Sequence, residues 1–142
     1  MAALNPYLNF NGNAQEAFNF YKSVFGGEFA TVMRFDQMPG DQKPASDEAN
    51  KIMHIALPVG KGNMLMASDV AQAYPQAVAG TNYSISITAD SEEEARKLFD
   101  GLSKGGNVTV PLDKAFWGSL FGMLTDKFGV QWMMSYDYNR HQ

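Results

Sequence analysis

Apolar and polar positions change period along this chain in a fixed order, and the order occurs twice. Tyr7–Phe10 is a short extended run behind Pro6, a residue that suits the first position of a strand. From Asn13 the period lengthens, and Ala17, Phe18, Phe20, Tyr21, Val24 and Phe25 form an apolar stripe at helical spacing. Asn13 and Glu16 stand at the two positions of a capping box, and Gly26-Gly27 is the stop signal. A second strand is predicted over Glu28–Phe35. Lys51–Val59 and Met64–Ser68 read as strands on either side of the turn Gly60–Asn63. The pattern then returns: extended Tyr83–Ile87 within a strand 82–88, Ser91–Glu94 opening a helix over 91–103, and Gly105-Gly106 as its stop. Strands follow near 107–111, 118–125 and 130–136, with Phe128-Gly129 in the last turn.

Each repeat is strand, helix, three strands. One such unit makes a four-stranded sheet with its helix over one face; the other face needs a partner, and the duplicate supplies one. The expected class is α+β, with two fused βαβββ modules in one domain over 1–142, the repeats spanning about 1–70 and 80–138 and the linker 70–81. The polar, two-proline segment 37–50 is predicted to be a long loop, either a lid or a disordered excursion.

Composition narrows the function classes. A formal net charge of −4 and scattered Lys and Arg provide no basic stripe, so no nucleic-acid partner is expected. There is no cysteine, which excludes disulfides, thiolate metal sites and cysteine nucleophiles. No apolar run reaches the roughly 20 residues needed to span a bilayer, and Met1–Pro6 lacks the pattern of a signal peptide. A cytoplasmic protein without membrane contact is expected.

Few residues carry chemistry. His54 is either a half-buried strand histidine or a cavity acid or base; His141, next to the last residue, is expected to be disordered. Asp69 either caps a turn or orients a ligand. Glu92, Glu93 and Glu94 sit in a first helical turn, where carboxylates favour the helix dipole, and they receive no functional role. Ser84 and Ser86 alternate with Ile85 and Ile87, so the two hydroxyls share one face of their strand, open either to a ligand or to solvent. Trp117 is assigned either to a cavity wall or to a core or subunit contact, and Trp132 faces either a cavity or the helix layer. Met64, Met66, Met133 and Met134 could form a pliable apolar lining or fill the core. A phosphate-binding glycine loop, a nucleophile elbow, a dinucleotide fingerprint and a glycine-rich adenosylmethionine motif are all missing.

Several strings resemble one superfamily. Phe20–Gly27 looks like the first-helix ending, and Asp126–Trp132 like the last hairpin, of the vicinal oxygen chelate proteins: glyoxalase I, bleomycin-resistance proteins and extradiol dioxygenases. Pro6–Gly12, Leu65–Asp69 and Phe116–Met123, with Trp132, resemble the PhnB-like branch that is described as 3-demethylubiquinone 3-methyltransferase-like. The resemblance implies two mixed sheets curled around a central cup, and a homodimer. It also implies metal-ligand positions near Pro6, Ala67, Ser84 and Met133, none of which carries a His, Glu or Gln. Neither the superfamily's metal chemistry nor methyl transfer is therefore expected, and no cofactor is assigned. The expected function is binding of a small apolar or aromatic molecule in the cup by Phe10, Met66, Ser84, Ser86, Trp117 and Trp132. The alternatives are an enzyme that uses His54 without the usual metal and a ligand-free interaction module.

Overall fold

A computed structural model describes residues 2–37 and 48–138. The chain divides into two compact units, 1–78 and 79–142, each built as its own sheet and helix. The first unit runs β1 (Tyr7–Phe10), α1 (Ala14–Phe25), β2 (Thr31–Arg34), β3 (Ile52–Val59) and β4 (Asn63–Asp69). Its sheet has the order β1-β4-β3-β2, with β1 parallel to β4 and the other pairs antiparallel. The second unit repeats this as β5 (Ile85–Thr88), α2 (Glu92–Ser103), β6 (Asn107–Lys114), β7 (Ser119–Thr125) and β8 (Gln131–Asp137), in the order β5-β8-β7-β6. The two mixed sheets and two helices are the α+β pair of βαβββ modules that the repeated pattern predicts. No helix among the described residues is long and apolar enough to cross a membrane.

Period-2 alternation separates the two faces of each sheet. In β4, Leu65, Ala67 and Asp69 are buried, whereas Met64, Met66 and Ser68 are half-buried. Phe10 is paired with Asp69 and meets the α1 residue Phe18 edge-to-face at 6.4 Å. The face carrying Phe10, Leu65, Ala67 and Asp69 is therefore the helix-covered one. Ala14, Ala17, Phe18 and Tyr21 lie on it with no exposure at all. Burial of a large apolar side chain of this kind contributes roughly 1.5–3 kcal/mol, so the stripe anchors α1.

In the second unit Ala95, Phe99 and Leu102 of α2 cover Leu120, Leu124, Trp132 and Met134. Gly122 permits this close approach: a Cβ there would lie 2.8 Å from the Phe99 ring and 2.9 Å from the Leu112 backbone. Gly122→Ala is therefore expected to lower stability by about 1–3 kcal/mol through forced displacement of α2 or β6, measurable as a lower urea midpoint at unchanged slope.

Three local expectations change. Asn13 makes no side-chain cap; Asp69, from the end of β4, accepts the Gly12 and Ala14 N–H groups at 2.9 Å and serves the N-terminus of α1 in its place. A buried carboxylate reaching in from another strand displaces the local asparagine. Ser91 does cap α2, accepting the Glu94 N–H at 3.0 Å. The strand expected over 28–35 is confined to β2, because Gly26 and Gly27 both take positive φ and Phe35–Gln37 turns into a 3₁₀ helix. β6 continues past Pro111 to Lys114; it is an edge strand with register shifts around Val110, where a missing N–H is tolerated. Of the predicted loop 37–50, residues 38–47 lie outside the described residues, as does His141.

Candidate functional site

The helix-free face of each sheet holds most of the candidate side chains. In the first unit, register places Tyr7 beside Met66 and Met66 beside Ala56. His54 stands on that same face of β3, opposite Met33 on β2. Strands β1 and β3 are separated by β4, yet the Tyr7 hydroxyl reaches 3.3 Å from His54 Nδ1, and the two rings lie 5.8 Å apart with a 31° tilt. Met64, Met66 and Ser68 surround the pair from β4, and Asn9 and Thr31 complete the face. Arg34, the one cation on β2, turns instead to the Gln15 side chain at 2.6 Å and the Asn50 carbonyl at 2.7 Å.

In the second unit, Ser86, Met133 and Met123 align across three strands, as do Thr88, Ser135 and Phe121. This is the face away from α2, since Trp132 and Met134 take the alternate positions and Met134 pairs with Gly122 under Phe99. Trp117 stands in the β6–β7 turn, with its ring 5.5 Å from Phe121 and 5.0 Å from Phe116. Trp117 is 54% exposed and Phe116 98% exposed. The result is an indole and a phenyl ring at one end of a surface of thioethers and hydroxyls.

The six residues assigned to the cup separate accordingly. Met66 and Ser86 lie on helix-free faces, Ser84 precedes β5 and is half-buried, and Trp117 borders the second face. Phe10 and Trp132 belong to the sheet–helix cores and line no open surface; strand parity turns both toward the helices. Trp132 is 2% exposed, and its Nε1 donates to Asp126 Oδ2 at 2.8 Å. Asp69 is likewise structural: Oδ1 takes the two N–H groups at the start of α1, and Oδ2 accepts from Ile52 N at 2.8 Å. Among the methionines, Met64, Met66 and Met133 lie on helix-free faces, whereas Met134 is core. Tyr7, Phe121, Met123 and Ser135 were not singled out by the sequence. Alternation along 119–125 could have identified Phe121 and Met123; nothing local relates Tyr7 to His54, 47 residues away.

The shifted titrations lie elsewhere. Glu48, almost buried, is held below the usual carboxylate range by its ion pair with Lys51 and by the Gln72 N–H. Glu92 is lowered by the Arg96 guanidinium at 2.8 Å and then by the Tyr138 hydroxyl at 3.0 Å. Arg96 is raised by that same carboxylate, and Tyr138 is raised first by burial and then by Glu92. Glu92 and Tyr138 fasten the end of β8 to the start of α2.

The metal positions implied by the resemblance can now be tested against donors. The Pro6 carbonyl is used by Met66 N at 3.1 Å, Ala67 points to the helix side, and Met66, Ser68, Ser84 and Met133 provide only thioether and hydroxyl groups. Among the described residues no group of three or more His, Asp or Glu is placed to hold an ion. This donor set does not fit the hard divalent ion of that chemistry.

Comparison with known proteins agrees with this architecture. The sequence model of the family described as 3-demethylubiquinone-9 3-methyltransferase matches residues 2–135. Protein YjdN of Escherichia coli is 30% identical over 143 aligned positions, covering 93% of both chains. The crystal structure of PA1353 from Pseudomonas aeruginosa superposes with a TM-score of 0.85 at 43% identity, covering 96% of this chain and 98% of that one. A Bacillus cereus PhnB protein, described as a putative 3-demethylubiquinone-9 3-methyltransferase, superposes with a TM-score of 0.73 at 26% identity over 95% and 99%. The Listeria monocytogenes fosfomycin resistance protein FosX shares the fold at a TM-score of 0.64 and 9% identity, covering 97% and 93%.

Proposed function

We propose a ligand-binding function for this chain, which belongs to the 3-demethylubiquinone-9 3-methyltransferase family and has the fold of the glyoxalase/bleomycin resistance/dioxygenase superfamily. The ligand is a small apolar or aromatic molecule. The observation that supports this reading is the helix-free face of the second unit, where Trp117 and Phe121 stand beside Met123, Met133, Ser86 and Ser135. Aromatic rings offer a flat ligand stacking area, thioethers adapt to its outline, and hydroxyls orient its polar edge. Neither the family description nor the superfamily's metal chemistry is needed for this. Sequestration by binding is sufficient.

The test is native mass spectrometry of the purified protein, with metal analysis on the same sample, followed by titration with 1-methylnaphthalene read by tryptophan fluorescence. Expected are a small organic adduct and quenching of the exposed indole. Trp117→Ala should weaken the naphthalene by about tenfold, the loss of one stacking contact and its buried area. A stoichiometric divalent metal, or equal affinity in the variant, would overturn the reading. A second reading, an interaction module, is favoured by the fully exposed Phe116 beside Trp117. It predicts a bare homodimer in the same spectrum and a monomer for Trp117→Ala.

A further inference from the structure

We infer that Tyr7 and His54 form a proton-accepting couple that binds a small molecule carrying an acidic hydroxyl, a phenol or an enol, against the helix-free face of the first unit. This goes beyond the reading of the Trp117 face and rests on the first unit alone.

The geometry comes from register. Tyr7 on β1 and His54 on β3 meet over the intervening strand, with 3.3 Å between hydroxyl and Nδ1. That contact occupies one ring nitrogen and fixes the imidazole; Nε2 has no hydrogen-bond partner among the described residues. Among the described residues this face contains no carboxylate. Asn9 comes from β1, Met64, Met66 and Ser68 from β4, Ala56 from β3, and Thr31 and Met33 from β2. Arg34 is turned away to Gln15 and Asn50. Among the described residues no carboxylate on this face competes for an imidazolium, so the counter-charge is left for a ligand to bring. The methionines supply an apolar bed for its ring.

The step is a proton transfer. The ligand O–H bond breaks as its proton passes to His54 Nε2, leaving a ligand oxyanion hydrogen-bonded to the imidazolium. For Nε2 to accept, the neutral imidazole carries its hydrogen on Nδ1, which donates to the Tyr7 oxygen before and after the transfer, so the Tyr7 hydroxyl hydrogen is free for a second ligand oxygen. No other bond changes, and the proton returns when the ligand leaves.

The probe is 4-nitrophenol, whose phenolate absorbs at longer wavelength than the phenol, compared with 4-nitroanisole, which has the same ring but no proton to give. With the full chain at a pH where free nitrophenol is mostly protonated, binding should bring up the phenolate band. Nitroanisole should bind at least about tenfold more weakly, as expected for loss of a charge-assisted hydrogen bond. His54→Gln should remove the band and the preference for nitrophenol; Tyr7→Phe should keep the band at reduced affinity. Circular dichroism checks that both variants are folded. Equal affinity for the two probes, a band that survives His54→Gln, or no binding of nitrophenol by the unsubstituted protein would each overturn the inference. None of these results bears on naphthalene quenching at Trp117, so the two readings fail separately.

Discussion

Asp69→Asn is expected to destabilise the protein by about 3 kcal/mol, more than most surface changes combined. The carboxylate is 3% exposed and spends both oxygens on backbone. Oδ1 accepts from Gly12 and Ala14 at 2.9 Å, and Oδ2 from Ile52 at 2.8 Å. An asparagine keeps the first oxygen but replaces the second with an NH₂ group, which meets the Ile52 N–H donor to donor. The Ile52 N–H is then left buried without its acceptor, at a cost of roughly 1–3 kcal/mol, and the charge-assisted character of the remaining bonds is lost. The negative charge at the start of α1 disappears as well, worth about 0.3–1 kcal/mol and more in a buried setting. Equilibrium urea unfolding measures the sum, and hydrogen exchange should show the first turn of α1 opening before the rest. A loss below about 1 kcal/mol would mean that the carboxylate is not structural. Asp69 would then return as a residue able to orient a ligand.

The second large effect lies in the last hairpin. Asp126 is also 3% exposed; its Oδ1 accepts from Phe128 N at 2.8 Å and Val130 N at 3.1 Å, and Oδ2 accepts from the Trp132 indole at 2.8 Å. Asp126→Ala removes the acceptor for all three donors, and Trp132→Phe removes only the indole N–H while keeping most of the ring. Each single change is expected to cost about 2–3 kcal/mol. A double-mutant cycle should give a coupling of about 1.5–3 kcal/mol, the range for a buried hydrogen bond to a charged group. Coupling near zero would show that Trp132 is held by packing alone. In either variant that remains folded, naphthalene binding at Trp117 should be unchanged, because Trp132 faces α2 and Trp117 borders the opposite face.

The motifs Leu65–Asp69 and Asp126–Trp132 each hold one of these carboxylates, and in both the aspartate accepts backbone N–H groups at a turn or helix start. The relatives with this fold need not share an activity with the chain. FosX was crystallised with Mn(II). In this chain the metal positions that the resemblance implies, Pro6, Ala67, Ser84 and Met133, carry no donor that fits such an ion.

The amino-acid sequence by itself determined the two-fold repetition, the α+β class, the helix spans and most strands. Each of these depends on a period, 3.6 or 2, that neighbouring residues display together. It also offered His54, Ser86, Met66 and Trp117 as candidates, because unusual residue types in a strand or turn are visible without coordinates. The faces on which large side chains fall were decided only by the tertiary structure. Phe10 and Trp132 look like cavity aromatics until register turns them toward α1 and α2. The cap of α1 was invisible for the same reason: Asp69 lies 55 residues from the N–H it accepts at Ala14. So was the Tyr7–His54 pair. Strand order, parity and long-range hydrogen bonds are non-local, and a one-residue change in register exchanges the two faces of a strand without altering its composition.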